Sequence, residues 1–442
     1  MSRQPIKVEK SNQLFERAKK VVPGGANQAH RKYEYENAVF PFIESGEGSK
    51  IYDVDKNEYI DYHCAFGPII LGRNYPSVNQ AVKDAIDAKL DLFGVGGTES
   101  EIELHEKISQ HVPSGDKSLL CTSGSEAITF AIRAARGVTN KKKIIKFQGH
   151  YHGFHDSVLL NVISPQDKLG KKDCLSSGIL DEVLDQTLIC EWNNIEEFER
   201  IVKENQDDLA GVVLEPIPHN IGCVLPKDGF LQEVREITEK NNIILIFDEV
   251  ITGWRHGIGG MQKILNVTPD ITTMGKAIAN GYPIAAVCGK EEVMSQVQSN
   301  KDGHIFFGGT YNGHPIITAA ALATIKELEN PKVYEHIFNL GKKMRDGLTR
   351  ITNDLDIKAY TTGFGSIFLT YFLSGEVKNY NDLLRNNGKM FIDYRKNLLD
   401  YGVHMIVKNL KRNHITYSHT EEEINYTLEA SEEVLRTLTQ KQ

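Results

Sequence analysis

The sequence lacks the patterns that mark several common protein classes. It has six cysteines in 442 residues, but no two are spaced C-x-x-C, which argues against a zinc site or a disulfide framework and favours reduced thiols. No apolar run approaches the length of a membrane span, and residues 1–20 contain no apolar core like that of a signal peptide. A net charge of −8 leaves no basic excess for nucleic acid or an anionic membrane. We therefore expect a cytoplasmic protein that binds neither nucleic acid nor membrane.

Nucleotide-binding fingerprints are also absent, because neither GxGxxG nor Walker spacing occurs. From Tyr75 to about Asn330, helical patterns instead alternate with short apolar runs that predict strands. The predicted strands are Ser118–Cys121, Lys143–Phe147, Leu209–Leu214, Ile243–Phe247, Ile271–Met274 and Ala285–Gly289. Strands separated by helices are typical of parallel crossover units, in which helices cover both faces of the sheet. The sequence therefore predicts an α/β fold.

The two ends of the chain have a different pattern. Gly48–Gly72 alternates apolar residues around a turn at 55–57, which predicts a hairpin. After about Asn330, long helical patterns at Lys332–Asn353 and Asn379–Tyr401 flank short strands. We therefore predict three parts. These are an N-terminal arm and hairpin at 1–74, a large domain at 75–329, and a small α+β domain at 330–442 that packs with the hairpin.

Lys276 and Asp248 have the chemistry of a coenzyme site. Lys276 lies in DITTMGKAIANGYP, and Asp248 follows the apolar run IILIF, at the carboxyl end of a predicted parallel strand where ligands bind. Pyridoxal phosphate needs an amine that forms an imine with its aldehyde and a carboxylate that faces its pyridinium nitrogen. Each residue also has a simpler interpretation. Lys276 could be a surface lysine after a helix cap, and Asp248 could cap the next turn.

Two turns rich in small residues could bind an anion such as phosphate. Residues 119–136 predict a strand, a turn and a helix, and Ser123, Gly124 and Ser125 would bring backbone N–H groups close to a ligand. The second turn, FFGGTYNGHP at 306–315, offers the hydroxyl and the backbone N–H of Thr310. The simpler interpretations are a capping turn without a ligand and an ordinary loop before a helix.

The segment FQGHYHGFHD, at 147–156, holds three histidines that invite a metal interpretation. His150, His152 and His155 match no standard metal spacing, and no cysteine completes a set, so we predict no metal site. The alternative is a loop at a strand end in which Tyr151 or His152 covers a flat cofactor ring. Val250, which follows FDE, could then press on the opposite face of that ring.

Taken together, these segments resemble the class III (ω-type) aminotransferases, a family of fold-type I pyridoxal phosphate enzymes. The likeness covers nearly the whole chain, and the motifs occur in the family's order. They are IYDVDKNEYIDY, TSGSEA, YHG, DEVITGWR, DITTMGKAIANGYP and GGTYNGHP. VPGGAN near the start and SHTEEEI near the end are most similar to the glutamate-1-semialdehyde 2,1-aminomutase branch. The resemblance implies a large domain with a mostly parallel sheet of the seven-stranded type and a small α+β domain.

The resemblance also implies roles for individual residues. Lys276 would form the internal aldimine with pyridoxal 5'-phosphate and move the proton of the reacting carbon, while Asp248 would pair with the pyridine nitrogen. Tyr151 and Val250 would enclose the ring. Thr310 would reach the phosphate of a neighbouring subunit, which makes the active unit a homodimer. The residues expected to bind the cofactor are Ser123, Gly124, Ser125, Tyr151, His152, Glu215, Asp248, Val250, Lys276 and Thr310.

One region departs from the aminomutase pattern. That branch carries a glutamate before its final histidine motif, whereas Val407–His419 in this chain contains no acid and places Lys411 or Arg412 there. Arg31 stands where the branch binds the substrate carboxylate, for which a guanidinium is well suited. These three residues are our substrate-binding candidates, with a surface salt bridge for Arg31 and a solvated basic turn for the other two as alternatives.

We therefore predict an aminotransferase that passes an amino group from a donor to a carbonyl acceptor by a ping-pong mechanism. The lost acid favours a substrate with an additional anionic or oxygen-rich part. The alternative is the aminomutase, which shifts the amino group within one molecule. A third hypothesis is an inactive relative that serves as a binding protein, and the presence of Lys276 and Asp248 argues against it.

Overall fold

The computed structural model describes residues 5–27, 32–35, 40–91 and 96–440. They form two compact units. One combines 1–75 with 335–376 and 385–442, and the other combines 76–334 with 377–384. The short segment 377–384 thus folds with the unit that contains residues 76–334, which no pattern in the sequence indicated. The ranges 1–74, 75–329 and 330–442 stay a prediction.

Fourteen strands and fifteen α-helices are found in the described ranges of the chain. The strands are β1 Ile43–Glu47, β2 Lys50–Asp53, β3 Glu58–Asp61, β4 Lys117–Cys121, β5 Lys143–Phe147, β6 Thr187–Cys190, β7 Leu209–Leu214, β8 Ile244–Glu249, β9 Ile271–Met274, β10 Ala285–Gly289, β11 Tyr360–Thr362, β12 Ile367–Tyr371, β13 Val403–His404 and β14 Asn413–His414. The helices are α1 Glu9–Val21, α2 Pro76–Asp87, α3 Glu99–His111, α4 Gly124–Thr139, α5 Asp181–Leu184, α6 Ile195–Asn205, α7 Phe230–Lys240, α8 Gly253–His256, α9 Gly260–Leu265, α10 Glu291–Met294, α11 Pro315–Leu328, α12 Pro331–Asp354, α13 Tyr380–Leu383, α14 Gly388–Leu399 and α15 Glu421–Thr439.

A seven-stranded sheet lies in the unit that contains residues 76–334, with the strand order β4-β10-β9-β8-β7-β5-β6. The strands from β9 to β6 pair in parallel, whereas β10 is antiparallel to both β4 and β9. Every residue of β7 is buried, and so are nearly all residues of β8, as expected for central strands covered on both faces. The predicted α/β fold with a mostly parallel sheet is confirmed.

Helix α4 packs on this sheet and brings its N-terminus to the strand ends. Its apolar residues, among them Ile128 and Ala131, form one buried cluster with Val213, Ile246 and Val287 from the strands. Burial of an isoleucine side chain of this kind contributes roughly 1.5–3 kcal/mol. The helix therefore has one well-fixed position, and its first turn is held at a defined point beside the sheet.

The other compact unit contains two small sheets. One has the order β1-β2-β3-β13, in which β2 and β3 form the predicted antiparallel hairpin and β13 pairs in parallel with β3. The other is β11-β12-β14.

The single helix predicted at Asn379–Tyr401 is wrong. Two separate helices occupy that range, α13 and α14, and each begins at an asparagine, Asn379 or Asn387, whose side chain caps it.

A membrane span requires a helix that is both long and apolar. Across the described ranges, no helix combines the length and the apolar character that crossing a bilayer requires.

Candidate active site

Asp248 and Lys276 lie at the ends of neighbouring parallel strands. Asp248 is the fifth residue of β8 and pairs in register with Thr273 of β9, and Lys276 follows the last residue of β9 by two positions. Burial raises the pKa of the Asp248 carboxyl to about 6, and the positive charge of Lys276 acts against this rise. The sheet therefore brings an amine and a buried carboxylate within electrostatic reach of each other.

The Asp248 carboxylate is held in place at both oxygens. The Nδ1 atom of His152 lies 2.7 Å from Oδ2, while Oδ1 accepts the Val250 N–H at 3.1 Å and the Thr273 hydroxyl at 3.4 Å. Burial lowers the pKa of His152 well below its usual range, so the ring is neutral and donates from Nδ1. Its buried Nε2 has no hydrogen-bond partner among the residues that the structure describes. A cationic ring nitrogen beside this carboxylate would supply the counter-charge that neutral donors do not.

The backbone around Lys276 is tightly constrained. Lys276 has a φ of 47°, in the left-handed region that residues other than glycine seldom adopt. A Cβ atom on the preceding residue, Gly275, would lie 3.5 Å from Cγ1 of Val250 and from Cβ of Ala285. The turn that carries the amine is therefore packed directly against Val250, the residue predicted to press on a cofactor ring.

The N-terminus of α4 meets the same side chain. A Cβ atom on Gly124 would lie 2.9 Å from Cγ1 of Val250, so only glycine allows this approach. Ser123 caps the helix in a reciprocal pair with Glu126, and the Ser125 hydroxyl accepts the N–H of Phe154 at 3.4 Å. In the structure, the predicted anion-binding turn therefore contacts Val250 through Gly124. It also contacts the segment after β5 through the hydrogen bond between Ser125 and Phe154. The hydroxyl of Ser123 also has the structural role of a helix cap.

Glu215 connects two loops at the strand ends. Its buried carboxylate accepts the backbone N–H of Tyr151 at 2.9 Å and that of His219 at 3.0 Å, and its own N–H donates to Nδ1 of His150 at 3.0 Å. The Tyr151 phenol is partly buried, which raises its pKa. Glu215 therefore holds the backbone at Tyr151, the residue that precedes His152.

The three histidines of 147–156 are engaged with different neighbours. His150 accepts from the Glu215 backbone, His152 donates to Asp248, and Nδ1 of His155 accepts the N–H of Ser157 at 3.1 Å. Among the described residues, no group of three or more His, Cys, Asp and Glu side chains is arranged to hold a metal ion.

Lys146 is a buried residue near the site that the sequence patterns did not lead us to predict. Its amine donates to the carbonyl of His150 at 3.1 Å and to that of Leu160, and burial lowers its pKa to about 7. Its charge also helps to lower the pKa of His152. The signal in the sequence was a lysine within the apolar run KIIKF, where a charged residue is costly unless it has partners.

Thr310 is not joined to the strand-end residues. It is exposed on the loop before α11, and within the described part of the chain it makes no hydrogen bond to the other candidate residues. Two aromatic residues of the same loop are also exposed, Phe306 by 62% and Tyr311 by 57%.

The three substrate candidates belong to other parts of the chain. Lys411 and Arg412 lie in the unit with the two small sheets, and each is only 3% exposed, so the alternative of a solvated basic turn is wrong. Arg412 donates to the carbonyl of Phe66 at 2.8 Å and to Nε2 of His414 at 3.2 Å. Arg31 lies outside the described residues.

Comparison with known proteins gives a consistent result. The family model for "Aminotransferase class-III" matches residues 32–427. A glutamate-1-semialdehyde 2,1-aminomutase of Methanococcoides burtonii is 39% identical over 426 residues, which cover 96% of this chain and 98% of that protein. Its counterpart from Acetivibrio thermocellus is also 39% identical, over 96% of each chain. The crystal structure of an omega-transaminase from Sphaerobacter thermophilus has a TM-score of 0.90 and 31% identity, covering 96% of this chain and 97% of that one.

Proposed function

The chain belongs to the class-III aminotransferases, enzymes that use pyridoxal phosphate, and on that premise we propose that it transfers an amino group from a donor to a carbonyl acceptor in a ping-pong cycle. The observation that carries this proposal is the position of Asp248 and Lys276 at the ends of adjacent strands, within electrostatic reach of each other. A buried carboxylate that neutral donors hold in place suits a cationic heterocycle, and the nearby amine suits its aldehyde.

When bound, pyridoxal phosphate supplies an aldehyde that condenses with amines and a ring that withdraws electrons from the reacting carbon. In the proposed roles, Lys276 would hold the coenzyme through Nζ until the amine of the donor displaces it, and the freed neutral amine would then take and return the proton at the α-carbon of the donor. Asp248 would face the ring nitrogen and keep it protonated. His152 donates to Asp248, which fixes the direction of the carboxylate.

The remaining cofactor residues would enclose the ring and bind the phosphate. Val250 packs against both Gly124 and Gly275, so its position between the start of α4 and the lysine turn supports a contact with one ring face. Tyr151 would cover the other face. The first turn of α4, with Ser123, Gly124 and Ser125, would accept the phosphate because backbone N–H groups and the helix dipole favour an anion there.

Thr310 supports a homodimer with shared active sites. Since it is exposed on a loop that also carries two exposed aromatic residues, we propose that it completes the phosphate site of a second copy of the chain. A cytoplasmic location is proposed as well, and the six cysteines support it because none of them forms a disulfide within the described part of the chain.

The aminomutase remains the second candidate, because the relatives at 39% identity carry that name. We favour the aminotransferase because Lys411 and Arg412 give the small-sheet unit two buried basic groups where the aminomutase branch has an acid. With Arg31, they are our proposed substrate-binding residues, suited to an anionic or oxygen-rich substrate. The amino donor and the carbonyl acceptor are small molecules in either half-reaction.

Two sets of incubations separate the two reactions, one with single amino donors and one with glutamate-1-semialdehyde and no donor. Purified enzyme with bound pyridoxal phosphate is mixed with a panel of single amino donors, and formation of each keto acid is measured together with conversion of the coenzyme to its pyridoxamine form. The aminotransferase requires a donor and releases its keto acid. If the enzyme isomerises glutamate-1-semialdehyde with no donor present, and forms no keto acid from any donor, the aminomutase is correct instead.

A further inference from the structure

Two buried histidines near the candidate site have no part in the function proposed above. His219 lies in the loop after β7, and His256 is the last residue of α8; their side chains are 0% and 1% exposed. Their Nε2 atoms are 2.8 Å apart. Two nitrogens at this distance need one proton between them, because two lone pairs or two N–H groups would repel each other.

The surroundings decide which ring carries that proton. Nδ1 of His219 lies 3.0 Å from the carbonyl oxygen of Gly222, which can only accept, so this nitrogen must carry a hydrogen. Because complete burial disfavours a charged ring, we take His219 as neutral, and its other nitrogen, Nε2, is then an acceptor. On this assignment His256 donates from its own Nε2.

The backbone of His219 connects this pair to the candidate active site. Its N–H donates to Oε2 of Glu215 at 3.0 Å, and Oε1 of Glu215 accepts the N–H of Tyr151 at 2.9 Å. The loop itself closes on a hydrogen bond from the Gly222 N–H to the His219 carbonyl at 3.2 Å. The pair thus links the helix after β8 to the loop after β7 and, through Glu215, to the backbone at Tyr151.

We infer that His219 and His256 form a neutral positioning pair, in which the His256 N–H fixes the loop that completes the Glu215 contact with Tyr151. This inference rests on the proposed function, because the role follows from the proposed contact of Tyr151 with the cofactor ring. Neither histidine is assigned to touch substrate or cofactor. The pair acts by holding the strand-end loops at one separation.

Two substitutions at one position test this role. His256→Gln keeps an N–H donor at a similar reach, whereas His256→Met fills the space without one. We expect the dissociation constant for pyridoxal phosphate to rise about tenfold in His256→Met, because the buried acceptor on His219 is left without its donor, and to stay within about twofold in His256→Gln. His105→Met is the matched control, since this partly buried histidine on α3 pairs through Nδ1 with the Ser118 hydroxyl of β4 and should leave binding unchanged.

A spectroscopic measurement tests the pair independently of coenzyme binding. Nitrogen-15 spectra of histidine-labelled enzyme, with and without pyridoxal phosphate, should assign the Nδ1–H tautomer to His219 and the Nε2–H tautomer to His256. An imidazolium at either position near neutral pH, or the opposite tautomers, would overturn the inference. If His256→Met does not fold, His219→Asn retains a donor for Gly222, removes the acceptor, and should weaken coenzyme binding by the same factor.

The possible outcomes keep this inference separate from the proposed function. If the wild-type enzyme binds no pyridoxal phosphate, the proposed function fails, and with it the positioning role. If the wild type binds the coenzyme and His256→Met binds it as tightly as His256→Gln does, only the positioning role fails. Weak binding in His256→Met that His256→Gln restores supports both.

Discussion

Asp248→Asn should change how the stability of the coenzyme-free enzyme depends on pH. Burial raises the pKa of Asp248 from 3.8 to about 6, so the folded protein holds this proton more tightly than the unfolded chain does. Below pH 3.8 the carboxyl is protonated in both the folded and the unfolded protein, so its burial does not lower the free energy of unfolding by desolvating a charge. As the pH rises through 6, the wild type loses stability that the asparagine variant keeps.

The magnitude follows from the two pKa values. At ~1.4 kcal/mol for each pKa unit, the shift from 3.8 to about 6 corresponds to about 3 kcal/mol in all. About 2 kcal/mol of this falls between about pH 4.5 and about pH 8, and the wild type should lose that amount relative to Asp248→Asn. The variant also replaces an acceptor with an NH2 group facing the donors His152, Val250 or Thr273. That cost does not depend on pH. It therefore changes the difference in free energy of unfolding between the variant and the wild type by a constant amount and leaves the pH dependence of that difference unchanged.

The assay is denaturant unfolding of coenzyme-free wild type and Asp248→Asn at both pH values. We expect the free energy of unfolding of the variant, relative to the wild type, to improve by about 2 kcal/mol at the higher pH. Asp61→Asn is the control, because burial of that carboxyl is outweighed by Arg73 and His404, which lower its pKa, so raising the pH should give no improvement. A difference between Asp248→Asn and wild type that does not vary with pH would refute a buried carboxylate with a raised pKa.

Three further predictions test the surroundings of the site. Gly124→Ala should destabilise the enzyme by about 1–3 kcal/mol, because its Cβ would meet Val250 at 2.9 Å, and Val250→Ala in the same chain should recover most of this in thermal unfolding. Thr310→Asp and Lys276→Ala should each abolish transamination as homodimers, yet mixed and refolded subunits should regain activity, because one site of the heterodimer is intact; no recovery would mean that Thr310 serves its own subunit. Glu215→Gln should weaken coenzyme binding about tenfold, since its amide NH2 would face a backbone N–H, and an unchanged affinity in equilibrium dialysis would contradict this.

Most strands of the seven-stranded sheet could be predicted, because buried parallel strands appear in the sequence as short apolar runs. The exception is β6, Thr187–Cys190, which the sequence did not reveal because it is a four-residue strand at the edge of the sheet. The antiparallel direction of β10 could not be predicted either, since an apolar run has no direction. The break between α13 and α14 was visible in principle, because Asn379 and Asn387 are both good helix caps.

The candidate site was predictable where it depends on strand ends and glycine turns. Asp248 and Lys276 follow apolar runs, and the parallel arrangement of β8 and β9 then brings them together. Burial of Lys411 and Arg412 was not predictable, because Arg412 finds a partner in Phe66, which is 346 positions away in the chain. The pairing of His219 with His256 depends in the same way on a loop and a helix that meet only in the folded protein.

Borohydride reduction of the enzyme with bound pyridoxal phosphate, followed by peptide mass spectrometry, shows which lysine carries the coenzyme. We predict a single reduced coenzyme adduct on the peptide that contains Lys276. Lys146 is the most informative rival, because burial lowers its pKa to about 7 and makes its amine a nucleophile on chemical grounds, although two backbone carbonyls hold it. An adduct on Lys146 or another lysine, or no adduct at saturating coenzyme, would contradict the account.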